Sequence, residues 1–370
     1  MPVDDTKKKY ADECGFVITD DECIRRKGSE EILYYSVDKF IEVIVKTKNC
    51  FMCGVSPDSA DFDNEHIVPN WLLREFKIHN AKITLPNNTF TQYSKYTIRC
   101  CKNCNKLLNR EYEVPISNII KGGFEQIQQA ISTSKGRKLF FCWMALIFIK
   151  KHLKDREYPL ERNPNKSDGR TIAEEHHDFV ELHHIYCLAR QAFSKAHINP
   201  NVYGTLFVLE AELYEEKSEN YSSDSNTNGS TMMLRINDAC IFVVFNDMQT
   251  CCIRLAQRGF FPGVDIGPLS FIQAKEIFTH LAYTNLSMTT RPSYGSGISR
   301  DCGYIISGRI PEGGIELKDN FELLSFMLSH MLKATLPHDI ESIERLERGE
   351  LLTYLKNDDG TFNKTSLKRI

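Results

Sequence analysis

The spacing of apolar and polar positions changes character near residue 116. Before it the apolar runs are short. Ile32 to Val45 suits a helix or a strand–helix pair, while Lys82–Leu85 and Tyr96–Arg99 are β-capable pieces with a helix following from Asn105. After it the elements lengthen. Lys135–Lys154 reads as one helix with a wide apolar face and basic ends, and Thr171–Ala196 is helical in period, with a turn at Asn163–Gly169 between them. Four β-prone segments follow: Thr205–Leu213, Thr231–Ile236, Ala239–Phe245 and Thr250–Leu255, with Asn246-Asp247 as a turn before the last. Ser218–Ser230, rich in Ser and Asn, reads as a mobile connector. Phe271–Leu286, Phe321–Lys333 and Ile340–Leu355 complete the chain as helices. The expected fold class is α+β. A small module at 48–115, with residues 1–47 as an extension packed on it, precedes a larger domain, 116–370, of helices around a small antiparallel sheet.

Composition excludes some classes. With 42% apolar and 26% charged residues in a chain of 370, wholesale disorder is ruled out. The longest apolar run, Leu139–Ile149, has 11 residues, too few to cross a bilayer, and the N-terminus lacks the apolar core of a signal peptide. A cytoplasmic protein with no membrane partner is expected. Net charge is −3, yet Arg99–Arg156 holds 12 basic and 4 acidic residues, a balance of +8 that leaves −11 elsewhere. Such a stretch suits a phosphate-tracking surface or a solvated helix face.

Thirteen cysteines, an odd number in a reducing compartment, argue against a disulfide framework. Cys14, Cys23, Cys142, Cys187, Cys240 and Cys302 are scattered and read as small hydrophobes. Cys50-x-x-Cys53 and Cys101-x-x-Cys104 are different, because tight pairs let two thiolates reach one ion without strain. Four thiolates at tetrahedral angles make a closed structural Zn²⁺ site. Gly54 suits the sharp turn of a knuckle. Cys100 is an alternative ligand, but Cys101 keeps the two-residue spacer. Zinc alone fits a binding module as well as an enzyme.

Between and behind these knuckles stand Asn64-Glu65-His66-Ile67-Val68-Pro69 and, directly after Cys104, Asn105. The four cysteines, Glu-His-Ile-Val-Pro and Cys-Asn, in that order, resemble the HNH endonuclease family in its four-cysteine, zinc-containing version, as in phage endonuclease VII. The resemblance covers about 48–115, under a fifth of the chain. It implies a ββα-metal module pinned by a structural zinc. It further implies that Glu65 and Asn105 hold one Mg²⁺ or Mn²⁺, that Asn109 adds to that metal site, and that His66 is the general base. Those residue types suit phosphodiester hydrolysis. A neutral imidazole takes a proton from water near pH 7, and oxygen ligands hold a hard cation beside the leaving oxygen. Adjacent strand residues point to opposite faces, so Glu65 and His66 need a bend to share a site, with Pro69 and a β-bulge as its candidate sources. The family's first metal ligand is more often Asp. Its central Asn has no counterpart in Tyr93–Arg99, so Asn87 or Asn88 would have to serve from a longer loop.

The function expected from the resemblance is a metal-dependent endonuclease acting on DNA, double-stranded for preference. A restriction or antiviral defence role would be controlled by the C-terminal domain through an activating ligand, a partner protein or homo-oligomerisation. Two other classes stay open: a zinc-stapled nucleic-acid-binding module without catalysis, and a ligand-gated sensor. Elsewhere, His177, Glu181 and His184 would share a helix face at di-metal spacings. No second helix carries a matching pair, so a polar face is expected there. Trp71 and Phe76 are expected to pack the module, and Ser293–Gly297 to form a loop.

Overall fold

The computed structural model describes residues 5–163, 165–260, 266–357 and 359–364. Residues 1–4, and Pro164 within the turn expected at 163–169, lie outside them. The apolar stretch becomes the middle of a helix, Ser134–Lys154, in which every residue from Phe140 to Ile149 is buried. A helix covered all round belongs to a core, and its polar neighbours Lys150 and His152 are buried with it. Among the described residues no helix is long and apolar enough to cross a membrane.

The chain divides into two compact units that do not follow a boundary at 115/116. One comprises Met1–Asn118, Lys138–Val202 and Tyr294–Gly308; the other comprises Ile119–Arg137, Tyr203–Ser293 and Arg309–Ile370. The long helix, from Lys138 on, joins the cysteine-bearing unit because that unit's apolar faces need it and the helices after it. Phe40, for example, stacks on Tyr186 with ring centroids 4.3 Å apart.

In the first unit a helix, Asp5–Glu13, leads into a three-stranded antiparallel sheet of Phe16–Ile18, Ile24–Arg26 and Ile32–Tyr34. The strand Phe62–His66 then pairs antiparallel with Thr97–Cys101, Phe62 opposite Cys101 and His66 opposite Thr97. The helix Lys102–Leu108 starts at the next residue. Between the paired strands lie a helix, Asn70–Glu75, and a hairpin of Lys82–Thr84 with Phe90–Gln92. Asn87 does not brace the strand pair. Its side chain accepts from Thr89 and donates to the carbonyls of Pro159 and Leu160. Asn88 takes the left-handed conformation of the hairpin turn, with φ +58°.

Thr171–Ala196 is not one helix. It breaks into Ile172–His176, Phe179–Ala189 and Gln191–Ser194, because Asp178 caps the second by accepting from the amides of Val180 and Glu181. His177, Glu181 and His184 therefore share no face. His177 sits 2.8 Å from Asp155, His184 stacks on Tyr294, and Glu181 is exposed. Both the second metal site and the continuous polar face are lost with the break. Ser293–Gly297, read as a loop, lies within a strand, Ser293–Ser299, paired to Gly303–Arg309.

The second unit is built on a four-stranded antiparallel sheet in the order Tyr221–Asn226, Thr231–Ile236, Ala239–Val244, Leu206–Glu210. Both central strands are buried throughout, which is why they read as continuous apolar runs. Four expectations fail here. Ser218–Ser230 supplies the edge strand Tyr221–Asn226, whose polar composition suits a position with a partner on one side only. Thr250–Leu255 is helical, within Thr250–Gln257, and buries Cys251 and Leu255 one turn apart. Asp247 turns no hairpin. It is buried, accepting from Thr205 N at 2.7 Å, Thr205 Oγ1 at 2.6 Å and Cys251 N at 2.9 Å. The helix at 340 stops at Glu347, ahead of Gly349 at φ +88°.

Arg190 ties the first unit together. Its buried guanidinium donates to the carbonyls of Met52 (2.6 Å), Leu33 (3.0 Å) and Ile32 (2.6 Å), joining the first cysteine knuckle to the N-terminal sheet. Arg190→Met strands the carbonyls of Met52, Leu33 and the half-buried Ile32, so unfolding free energy should drop by about 3 kcal/mol. A urea titration followed by circular dichroism reads this. A loss below about 1 kcal/mol would show that those carbonyls find other donors.

Candidate metal and catalytic centre

The first knuckle turns at Gly54, φ +77°, where a Cβ would run into the Tyr35 hydroxyl. That hydroxyl donates to the Cys53 carbonyl at 2.8 Å. The second knuckle lies across the strand–helix junction. Cys101 ends the strand and caps the helix, its sulfur accepting from Cys104 N at 3.5 Å. The sulfurs of Cys50, Cys53, Cys101 and Cys104 all lie within 4.8 Å of one another, a group that could hold a zinc ion. Cys53 and Cys101 are 3.7 Å apart, close to the edge of a tetrahedron with bonds of about 2.3 Å. Cys100 stands outside the group, 3.9 Å from the Cys50 sulfur. Hydrogen bonds from the thiols of Cys100, Cys101 and Cys104 hold the Cys50 pKa far below the thiol range. The same thiolate drives those of Cys101 and Cys104 upward. Four thiolates cannot all ionise here without a cation, and zinc meets that need.

Beside the staple lies a cavity of about 430 Å³. Glu65, His66, Asn105 and Asn109 all line it, so the structure brings together every oxygen and imidazole residue of the motif. The helix explains half of this. Asn105, Asn109 and Glu113 recur every fourth residue along Lys102–Leu108 and its π-helical continuation, Asn109–Glu113, and all three reach the cavity. The Asn105 amide donates to Asp63 at 3.4 Å. Asp63, two residues before Glu65 on the strand, escaped the sequence reading although alternation places both on one face. Burial lowers the His66 pKa below its ordinary 6.5, which keeps the imidazole neutral near pH 7.

Three more residues shape the site. The Lys150 ammonium, wholly buried, lies 2.8 Å from Glu65 Oε1 and donates to the His66 carbonyl at 2.6 Å. Trp71 does more than pack the module. Its indole donates to Glu113 Oε2 at 2.8 Å and it lines the cavity, whereas Phe76 is buried as expected. Burial pushes the Glu113 carboxyl up to about 7. The sequence does not single out Lys150, which opens the basic run Lys150-Lys151-His152 at the end of the apolar stretch.

The +8 stretch is not one phosphate-tracking face. Lys150 is buried, and Arg156 donates to the carbonyls of Ile44 and Val45. Lys102, Arg110 and Lys154 pair with Asp61, Glu111 and Glu157. At the cavity itself the exposed cations are Arg74 and Lys106.

The four soft sulfurs suit a zinc ion. Purified chain should contain about one zinc by elemental analysis, and Cys53→Ser or Cys104→Ser should lose it together with the cooperative melt of the first unit. Folded, zinc-free chain would contradict this. Comparisons with protein-family models, with curated proteins and with solved structures return no match, so the functional argument rests on the site's own residues.

Proposed function

We propose that this chain is a metal-dependent nuclease of the HNH type that hydrolyses phosphodiester bonds, with duplex DNA as its favoured substrate. The observation that supports it is convergence. A strand and a helix, pinned at their junction by four cysteines, present Glu65, His66, Asn105 and Asn109 to one cavity. Glu65, through the oxygen that Lys150 leaves free, and the amide oxygens of Asn105 and Asn109 would hold Mg²⁺ or Mn²⁺. When bound, that ion supplies positive charge to the phosphate and the leaving oxygen. His66 accepts the proton of an attacking water, a role that needs the neutral imidazole its burial favours. Arg74 and Lys106 draw the phosphate backbone to the mouth of the cavity, which makes binding fall with salt.

One observation favours a second reading. The Glu65 carboxylate already has a cation in Lys150, as suits a zinc-stapled module that binds nucleic acid without cutting it.

Supercoiled plasmid separates the two. A nuclease nicks or linearises it with Mg²⁺ or Mn²⁺, stops in EDTA, and slows at least about 100-fold in His66→Ala. Tight binding without cleavage, indifferent to His66→Ala, would establish the binding module instead. Zinc-loaded chain that neither binds nor cuts would contradict both readings.

A further inference from the structure

Glu65 and His66 are neighbours on one strand, where side chains alternate between faces, yet both line the same cavity. Something holds the end of the strand so that they can. The strand stops at His66, whose carbonyl accepts from the Lys150 ammonium, 2.6 Å away. That same nitrogen sits 2.8 Å from Glu65 Oε1. One atom thus fixes the side chain of the first residue and the backbone of the second. The pairing with the partner strand continues past His66 in the same register, with Ile67 N donating to the Tyr96 carbonyl at 3.1 Å.

Lys150 is suited to a fixed role. It follows ten consecutive buried residues of the helix Ser134–Lys154 and is wholly buried itself, so its position is set by the core. Its ion-pair partner is Glu65, while the Trp71 indole holds the Glu113 carboxyl at the same cavity.

We propose that Lys150 is the positioning residue of this site, supplied by a helix outside the cysteine-pinned strands and helix, and that it clamps Glu65 and the His66 backbone so that the metal ligand and the base converge. The inference rests on the nuclease reading.

It is tested with zinc-loaded full chain on plasmid, comparing wild type, Lys150→Met and Lys150→Arg. Lys150→Met should lower kcat about 100-fold, with zinc content unchanged and KM for DNA within about 3-fold. Lys150→Arg, able to donate to both oxygens, should recover about 10-fold of that loss. Wild type that cuts while Lys150→Met keeps kcat within about 3-fold would overturn the clamp and leave the nuclease reading intact. Wild type that does not cut would overturn the nuclease reading, and the clamp with it. Should Lys150→Met lose its zinc, a crystal structure of wild-type chain with Mn²⁺ decides the matter. The ammonium should remain on both oxygens with the ion on the other Glu65 oxygen; an ammonium driven off the His66 carbonyl would overturn the clamp.

Discussion

Four thiols crowded within 4.8 Å are unfavourable as a bare cluster, and their position constrains most of the first unit. Cys101 is at once the last residue of a strand and the cap of the helix that follows. Fixing its sulfur against Cys50 and Cys53 therefore fixes the angle at which the helix leaves the sheet. That angle decides where Asn105, Asn109 and Glu113 stand relative to Glu65 and His66. The other knuckle is held just as firmly, by Arg190 on the Met52 carbonyl and Tyr35 on the Cys53 carbonyl. A cation in the tetrad would convert mutual repulsion among thiolates into the tie on which the geometry of the cavity depends.

The second constraint is electrostatic. Lys150 is wholly buried and Glu65 mostly so, with their charged atoms 2.8 Å apart. Buried ion pairs of this kind add little to stability relative to apolar packing, yet removing one member leaves the other exposed to the full desolvation penalty. Their value lies in direction, since a charge with no room to move holds its partners in one geometry.

Much of the candidate site was legible in the sequence because its signals are local. The Cys-x-x-Cys spacing, the Glu-His pair before Ile-Val-Pro, and Asn105 behind Cys104 need no knowledge of the fold. The long helix and the two central strands were equally plain, being apolar over their whole length. What escaped depends on contacts between distant residues. Lys150 and Glu65 are 85 positions apart, so nothing near either residue announces the pair. The serines of Tyr221–Asn226 resemble a loop because an edge strand needs few apolar side chains. Thr250–Leu255 has strand-like composition, and only the burial of Cys251 and Leu255 against the core settles it as a helix. The break at Asp178 lay in plain view as an N-cap residue, overridden by an unbroken helical period on either side.

Binding of a hard cation beside the staple is the step on which nuclease chemistry turns. It can be measured without any substrate, by titrating zinc-loaded chain with Mn²⁺ and following the free ion by electron paramagnetic resonance. One Mn²⁺ should bind per chain, and Asn105→Ala should weaken it at least about 10-fold while the zinc stays in place. A free-ion signal that wild-type chain leaves undiminished would contradict the assignment of Glu65, Asn105 and Asn109 as a catalytic metal site.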